Sequence, residues 1–368
     1  MKEFELYSPP KSIIRTRGKI FLNERVSLDL NRPEKSSNFV FFGGTGEGKT
    51  IAECVVLSQF DNAIFFDPKA GHPAWNSLKE IGEDVCWNKF EISNSLIKKK
   101  KSLKINTCDI FAGVINIVCI KKDSAFETKL RRLLWSFFSK QADDAEKNFN
   151  SLEKLLVKNR FDTIADEFRV VLDEADNGMP MEEICNGKKV VNISDFDSNN
   201  RGISLLIGNI FFYNGNKNKN KDVTRLNWND RLAIACDECH THVKTNTAIG
   251  NVMSYIFSQG RSFGITGSVS GTNEEPLPTQ IKSNIRIMLL FNTPQEREKF
   301  YKKYGVDLDE DSFNMMREMH PEGGNCFLKA EDYGFVEPIP IHVNYFYQKL
   351  KMQKEKDETE MVGFSNYL

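Results

Sequence analysis

The sequence predicts an α/β fold with a mostly parallel central sheet, and three observations indicate it. Short apolar runs rich in aromatic and β-branched residues, such as 39–42 and 63–66, are typical of strands buried on both faces. Segments with helical spacing of apolar residues alternate with these runs. The first run leads directly into a glycine-rich segment and then into a predicted helix at 51–60. This order is typical of parallel α/β folds.

Composition limits the class of protein. The 368 residues suffice for one large domain or two ordinary ones, and 40% hydrophobic and 27% charged residues are typical of globular proteins. A net charge of −1 argues against a generally polycationic protein, so any nucleic-acid contact must be local. No apolar run approaches a membrane span, the N-terminus lacks the form of a signal peptide, and eight scattered cysteines fit reduced thiols. We therefore expect a cytoplasmic protein, or one in the host cytoplasm if a virus encodes it.

The glycine-rich segment 43–50 fits the Walker A pattern G-x-x-x-x-G-K-[ST] without a mismatch. Its glycines let successive backbone N–H groups turn toward phosphate oxygens, with a helix N-terminus behind them. Lys49 would reach the β- and γ-phosphates, and the Thr50 hydroxyl would ligate Mg²⁺. A glycine-rich turn that merely precedes a lysine is disfavoured by the flanking strand and helix, so we expect ATP and Mg²⁺ as cofactors. The predicted nucleotide-binding residues here are Gly43, Gly44, Thr45, Gly46, Glu47, Gly48, Lys49, Thr50 and Ile51.

Shifts of composition divide the chain into four predicted regions. A lysine run at 98–101 is more typical of a solvated loop than of a binding site. Helical patterns follow it at 126–140, 148–159 and 163–175. The predicted regions are an N-terminal β element at 1–37, a nucleotide-binding core at 38–74 and 189–346, a mostly helical insertion at 75–188, and a charged C-terminal tail at 347–368.

A second motif of the core is the apolar strand 231–236 that ends in two adjacent carboxylates, Asp237 and Glu238. In an ATPase the first acid holds Mg²⁺, and the second orients and deprotonates the attacking water. The pattern alone is weak, since many strands end in acids. Together with the Walker A segment it predicts a Walker B motif, with Lys49 and Glu238 as catalytic residues.

The same place carries a competing pattern, C-x-x-C-H, formed by Cys236, Cys239 and His240. It is compatible with haem attachment or a zinc knuckle. A zinc site would need a second pair of ligands, and only His242 lies near in the sequence. We expect Cys236 to be buried in the strand, which disfavours both interpretations.

The segment 214–221 alternates asparagine and lysine and is predicted to have no packing capacity. One interpretation is a surface loop without function. The other is a contact with the DNA backbone, because lysines on a mobile loop neutralise phosphates without reading sequence. The candidate residues are Lys217, Lys219 and Lys221.

The order of these motifs resembles the HerA/FtsK superfamily of DNA-pumping ATPases over residues 38–73 and 189–346. Besides the Walker A segment, the resemblance rests on 67–69 (Asp-Pro-Lys, as in type IV coupling proteins), 236–240 and 260–265 (Gly-Arg-Ser-Phe-Gly-Ile). It implies a RecA-like core that acts as a ring hexamer. It also implies an arginine that crosses to the neighbour's nucleotide. Independently, the sequence beside the phosphate loop offers no second cation from the same subunit for the γ-phosphate.

The candidates for that arginine are Arg286 and Arg261, each of which could equally form a salt bridge within the subunit. Family members usually carry a glutamine at the end of the strand after the Gly-Arg motif, where it senses the γ-phosphate. The equivalent place here falls near Thr272 or Asn273. We therefore include both among the nucleotide-binding candidates.

These inferences predict an ATPase that translocates double-stranded DNA non-specifically as a homohexamer, for genome packaging or plasmid transfer. A capsid or a membrane channel would be its partner. One alternative is a soluble coupling ATPase of type IV secretion or conjugation. Another is a nucleotide-gated assembly scaffold, against which Glu238 argues because a switch that only binds nucleotide has little need of a second carboxylate.

Overall fold

The computed structural model describes residues 19–22, 26–30, 37–69, 87–91, 114–139, 149–172, 181–218, 220–222, 226–293, 297–306, 318 and 324–343. The strands in these ranges are β1 (Lys19–Phe21), β2 (Ser27–Asp29), β3 (Phe39–Phe42), β4 (Ala63–Asp67), β5 (Trp87–Glu91), β6 (Lys188–Asn192), β7 (Leu232–Cys236), β8 (Ile265–Gly271), β9 (Ile287–Phe291), β10 (Asn325–Ala330) and β11 (Phe335–His342).

The helices in the same ranges are α1 (Lys49–Ser58), α2 (114–118), α3 (Ala125–Ser139), α4 (Phe149–Lys158), α5 (Asp162–Leu172), α6 (Met181–Cys185), α7 (Arg201–Asn218), α8 (Cys239–His242), α9 (Ala248–Gln259), α10 (Thr279–Ser283) and α11 (Arg297–Lys303). Short 3₁₀ turns follow at Trp228–Asp230, Gly260–Phe263 and Glu331–Tyr333. None of the helices within the described ranges combines the length and apolarity that a membrane crossing requires.

A nine-stranded sheet in the order β11-β10-β9-β3-β8-β7-β4-β6-β5 forms the centre of the molecule. The strands from β9 to β5 in this order are parallel, and β10 and β11 extend the sheet with antiparallel pairs. The β3 strand lies between β8 and β9, so Phe39 is opposite both Ser268 and Ile287. The predicted α/β fold with a mostly parallel sheet is confirmed.

The central strands are apolar throughout because the sheet is covered on both faces. Their side chains alternate between two cores: Val40 and Phe42 point to one, and Phe39 and Phe41 to the other. Helices α7 and α9 and the helices of the 75–188 region cover the first face. Helix α1 and the β1–β2 hairpin cover the second. This double cover explains why 39–42 shows no polar alternation.

Two small β elements flank the core, as expected. At the N-terminal end, β1 and β2 pair as an antiparallel hairpin in which Ile20 lies opposite Leu28. At the other end, β10 and β11 form a hairpin that joins the main sheet through β9. The lysine run 98–101 and the predicted tail 347–368 lie outside the described residues.

The predicted insertion is helical in most of its described part, but it also contributes to the sheet. Strand β5 pairs with β6 in parallel, with Trp87 opposite Lys188. Side chains of its helices, such as Leu130 and Phe168, belong to the same hydrophobic core as the strands. The predicted boundaries of the insertion at 75–188 stay a prediction. Its described helices pack in the same hydrophobic core as the central sheet.

The polar segment after position 213 differs from the prediction. Helix α7 continues to Asn218, and the side-chain amides of Asn214 and Asn218 both donate to the carbonyl oxygen of Phe263, at 3.0 and 2.9 Å. Gly215 lies against the Phe263 ring, where a Cβ atom would come within 3.1 Å. The expectation that 214–218 cannot pack is wrong, because asparagine amides can bind backbone carbonyls that an apolar side chain would leave unpaired.

Candidate active site

The phosphate loop is held between the ends of the two strands that flank β3. The Gly43 N–H donates to the carbonyl oxygen of Gly271, at the end of β8, over 3.2 Å. The Gly44 N–H donates to the carbonyl oxygen of Asn292, just after β9, over 2.6 Å. A Cβ atom on Gly43 would lie 2.6 Å from the Phe291 Cβ atom, so only glycine fits there. The loop thus begins from a position set by both neighbouring strands.

The middle of the loop turns back toward α1. Gly46 and Gly48 have φ angles of 83° and 92°, in the left-handed region that favours glycine. Thr45 and Gly46 are exposed, and α1 begins immediately afterwards at Lys49. A curled backbone at a helix N-terminus suits an anion. The Glu47 carboxylate accepts from the Asn292 side chain, just after β9, over 3.1 Å.

Lys49 is already turned into the loop. Its side chain is 8% exposed, and Nζ donates to the Gly44 carbonyl oxygen over 2.6 Å. Burial lowers the pKa of Lys49, and the nearby carboxylates of Glu238 and Asp237 act in the opposite direction. A phosphate in the loop would therefore meet a cation that is held in place by the loop itself.

Asp237 is the most enclosed member of the acid pair. Its carboxylate is 1% exposed; Oδ1 accepts from the Glu238 N–H over 2.7 Å and from the Ser270 hydroxyl. The other oxygen, Oδ2, accepts from the Thr50 hydroxyl over 2.8 Å. The two predicted Mg²⁺ ligands are therefore side by side, 187 positions apart in the chain.

This donor set fits Mg²⁺. Mg²⁺ takes hard oxygen ligands, usually one or two protein groups together with phosphate oxygens and water. Thr50 and Asp237 supply a hydroxyl and a carboxylate beside the phosphate loop. Within the described part of the chain there is no group of three or more His, Cys, Asp and Glu residues that could hold a metal by themselves. These residues would hold the ion only in combination with a nucleotide.

Glu238 follows at the start of α8 in a strained conformation. Its φ and ψ angles of 50° and 49° are left-handed, which is uncommon for a residue other than glycine. The Oε1 atom lies 2.5 Å from Lys69 Nζ. The Oε2 atom lies 3.0 Å from His240 Nδ1, although that ring is not aligned for a hydrogen bond. The side chain is 18% exposed, so water can reach the carboxylate.

Comparison with solved structures places this arrangement among known folds. VirB4 of Thermoanaerobacter pseudethanolicus superposes with a TM-score of 0.50 at 14% sequence identity, over 84% of this chain and 89% of that one. The conjugative coupling protein TrwB gives 0.45 at 12% identity, over 89% and 82%. The genome packaging NTPase B204 of Sulfolobus turreted icosahedral virus 2 gives 0.35 at 10%, over 83% and 95%. No family model matches the sequence, and no curated protein matches it.

The chain has a RecA-like P-loop fold, which it shares with VirB4. That conclusion rests on the VirB4 superposition and on the sheet order, with β3 and its phosphate loop between β8 and β9. The RecA-like core expected from the sequence resemblance is confirmed. At this level of identity the likeness concerns the fold, and the roles of individual residues follow from their geometry.

Lys69 is a member of the site that the sequence interpretation missed. It follows β4, which pairs with β7, and its Nζ lies 3.5 Å from Asp237 Oδ2 as well as 2.5 Å from Glu238 Oε1. Burial works to lower the pKa of Lys69, but the two carboxylates outweigh it and the pKa is raised. The expectation that no second cation lies near the phosphate loop in the same subunit is wrong. The only sequence signal was a lysine just past a strand end, in the segment Asp-Pro-Lys.

A buried carboxyl group under the site was missed as well. Glu53, one turn along α1 from Thr50, is fully buried and hydrogen-bonded to the Ser268 hydroxyl. Burial, reinforced by the charge of Asp237, raises the pKa of Glu53 to about 8. The group is therefore mostly protonated at neutral pH. Its signal in the sequence was a single acid among the apolar residues 51–57 of α1.

The two cysteines of the competing C-x-x-C-H pattern lie in one hydrophobic core. Cys236 and Cys239 are both buried, and burial raises the pKa of both thiols. Cys239 packs against β8, since a Cβ atom on Gly271 would lie 2.4 Å from its sulfur. Both sulfurs are thus buried in the hydrophobic core at the end of β7, which disfavours a zinc or haem site there.

The predicted γ-phosphate sensors lie at the same edge as the phosphate loop, just past the end of β8. Thr272 is exposed. The Asn273 side-chain oxygen accepts from the Glu275 N–H over 2.9 Å, which holds that side chain to its own loop. Their role in sensing stays a prediction.

The two candidate arginines lie at the opposite edge of the sheet. Arg261 precedes β8 and Arg286 precedes β9, whereas the phosphate loop follows the end of a parallel strand. Arg286 is 43% exposed, and its Nε atom lies 3.5 Å from Asp332 Oδ2. Neither arginine belongs to the nucleotide site of its own subunit. Their predicted role therefore requires a neighbouring subunit.

Two of the candidate DNA-contact lysines, Lys217 and Lys221, are also far from the phosphate loop. Lys217 is exposed on the last turn of α7, and Lys221 Nζ lies 2.6 Å from Asp230 Oδ1. Asp230 immediately precedes β7, so this group also marks the opposite edge. Lys219 lies outside the described residues. The DNA role of all three stays a prediction.

Proposed function

We propose that the chain hydrolyses ATP with Mg²⁺. The observation that carries this proposal is the meeting of three elements at one edge of the sheet: a phosphate loop, the Thr50–Asp237 pair and the water-accessible Glu238. Each is required by the chemistry of phosphoryl transfer, and all three follow the ends of parallel strands or begin a helix there.

In this proposal the loop amides and Lys49 bind the phosphates, and Glu238 acts on a water molecule. The carboxylate accepts a proton from the water as its oxygen attacks the γ-phosphorus. The bond between that phosphorus and the β,γ-bridging oxygen breaks, which leaves ADP and inorganic phosphate. Thr50 and Asp237 would hold Mg²⁺, which would offset the charge on the phosphate oxygens.

The finer proposal is a homohexameric ring that moves double-stranded DNA, in genome packaging or plasmid transfer. It is supported by the sequence resemblance to DNA-pumping ATPases. It is also supported by the position of Arg261 and Arg286, which could act on nucleotide only in a neighbour. A capsid or a membrane channel would be the partner, and the location would be the cytoplasm.

Two other functions compete with this one. A soluble coupling ATPase would use the same site to recruit substrate to a channel, and its turnover would respond to a protein partner rather than to DNA alone. A nucleotide-gated scaffold would need binding without turnover. The water-accessible Glu238 favours turnover over a scaffold.

The test measures steady-state ATP hydrolysis by the full chain, with and without double-stranded DNA of unrelated sequences. We expect hydrolysis that rises on adding DNA. We expect Glu238→Gln to reduce turnover by about two orders of magnitude or more while Mg²⁺-dependent ATP binding persists, because a general base is lost. Glu275→Gln, an exposed acid at the same edge, is the matched control and should keep parental turnover.

Parental turnover in Glu238→Gln would contradict the hydrolytic site. A parent that hydrolyses ATP at a rate unchanged by DNA would support the ATPase proposal and contradict the proposal of a DNA motor. Nucleotide binding without any turnover in the parent would favour the scaffold.

A further inference from the structure

The contact between Lys69 and Glu238 blocks the group that the proposed reaction needs. The 2.5 Å separation of Nζ and Oε1 places an ammonium group directly on the general base. The ammonium group occupies a position from which a water molecule would otherwise donate a hydrogen bond to Oε1. In this arrangement Glu238 is held back from acting on water.

The same ammonium group also reaches the metal side of the site. Lys69 Nζ lies 3.5 Å from Asp237 Oδ2, the oxygen that accepts from the Thr50 hydroxyl over 2.8 Å. Lys69 therefore contacts both the general base and one of the two residues that would hold Mg²⁺. Thr50 and Asp237 would hold Mg²⁺, whose positive charge would repel the Lys69 ammonium group beside that oxygen.

The backbone of Lys69 is fixed while its side chain keeps freedom to move. Its N–H donates to Asp67 Oδ1 over 3.1 Å, and Asp67 is fully buried at the end of β4. Pro68 restricts the chain between the two. The Lys69 side chain is 37% exposed, so its long flexible stem can carry the charge from one partner to another.

We propose that Lys69 recognises the γ-phosphate in its own subunit and exchanges partners on ATP binding. Its ammonium group leaves Glu238 for the γ-phosphate, whose oxygens carry more negative charge than one carboxylate. Glu238 then becomes available to water. ADP lacks the γ-phosphate and leaves the Lys69–Glu238 pair intact. This inference rests on the proposed ATPase function.

The first experiment compares the Kd of ATPγS with that of ADP, both with Mg²⁺, by isothermal titration calorimetry. Lys69→Met should weaken ATPγS binding by about ten- to a hundredfold, the value of a charge-assisted hydrogen bond, and leave ADP binding unchanged. Lys69→Arg keeps the charge and should keep most of the preference. Lys329→Met is the matched control: that lysine is also paired with a carboxylate, 3.3 Å from Glu331, but lies outside the site.

The second experiment tests the exchange itself. Glu238→Gln should bind ATPγS more tightly than the parent, by up to about fivefold, because no ion pair has to break first. The gain should vanish when Lys69→Met is already present. A merely structural lysine would weaken both nucleotides equally and would not couple to Glu238 in this way.

The outcomes separate the two proposals. If the parent binds neither nucleotide, the ATPase proposal fails and this inference fails with it. The parent could bind and hydrolyse ATP while Lys69→Met keeps the parental ratio of ATPγS affinity to ADP affinity. That result would overturn only the role of Lys69. Independent effects of the two substitutions would overturn the exchange.

Discussion

The two edges of the central sheet both carry cations, but in different settings. At the edge where the parallel strands end, Lys49 is 8% exposed and bound to the loop, and Lys69 is paired with the acid pair. At the edge where they begin, Arg286 and Lys217 are exposed on the surface. At the first edge, both the cations and the carboxylates of the site come from one subunit.

The difference shows which functions one subunit can perform alone. The phosphate loop, the acid pair and Lys69 form a site in which the partners of each group come from the same chain. The arginines and lysines of the other edge have no access to that site within the subunit. If they act in the ATPase cycle, they act on a neighbouring subunit or on DNA.

The largest expected effect comes from the edge where the parallel strands begin. Arg286→Ala should leave nucleotide affinity and the fold nearly intact but reduce ATP hydrolysis by about 10³-fold, the usual value of an arginine supplied from a neighbour. The measurement is steady-state turnover beside nucleotide Kd. Asp332→Asn is the control, because it removes the ion pair of Arg286 and keeps the arginine. Equal loss in both variants would assign Arg286 a structural role.

Mixing subunits sharpens this prediction. In rings that combine Arg286→Ala with Glu238→Gln subunits, some interfaces join an intact Glu238 to an intact Arg286 from the neighbour. Partial activity should return. If rings form and the mixture stays as inactive as either variant, Arg286 does not act across the interface, and Arg261 becomes the next candidate.

A smaller effect is expected for DNA binding by the polar segment that follows position 213. Replacing Lys217, Lys219 and Lys221 with serine should flatten the dependence of log Kd on log salt by up to about three units, if each lysine releases a counterion. Fluorescence anisotropy over a salt series measures the slope. Because Lys221 is already paired with Asp230, a drop of about two units would indicate that this lysine stays with its carboxylate. An unchanged slope would contradict any DNA role for the segment.

The last prediction concerns Glu53, which is buried beneath the edge where the parallel strands end. The pKa of Glu53 rises from 4.5 to about 8, so the native state holds a proton that the unfolded chain has lost between these values. The free energy of unfolding should therefore fall as pH rises through this window. Glu53→Gln should remove that fall and stabilise the protein at about pH 8 by on the order of a few kcal/mol, with little effect near pH 5.

Chemical denaturation of the nucleotide-free protein at the two pH values measures this difference. Glu275→Gln, exposed at the same edge, is the control and should not alter the pH dependence. A parallel pH profile for Glu53→Gln and the parent would show that Glu53 is ionised in the native state.

The sequence by itself determined the parts of this protein whose geometry is local. Eight consecutive residues shape the phosphate loop, and a strand that ends in two acids places Asp237 and Glu238 at a sheet edge whatever its neighbours are. Apolar runs without alternation were sufficient to predict strands buried on both faces. The helices of the 75–188 region followed from their spacing, as at Leu130 and Leu134.

Only the tertiary structure decided which distant groups meet. Lys69 reaches Glu238 because β4 pairs with β7, and Ser270 reaches Asp237 because β8 lies on the other side of that strand. The packing of Asn214 depends on α7 meeting the turn before β8, and the placement of Arg286 depends on β9 running parallel to β3. Spacing along the chain carries no information on strand order, since pairing between strands is set by long-range burial of their side chains.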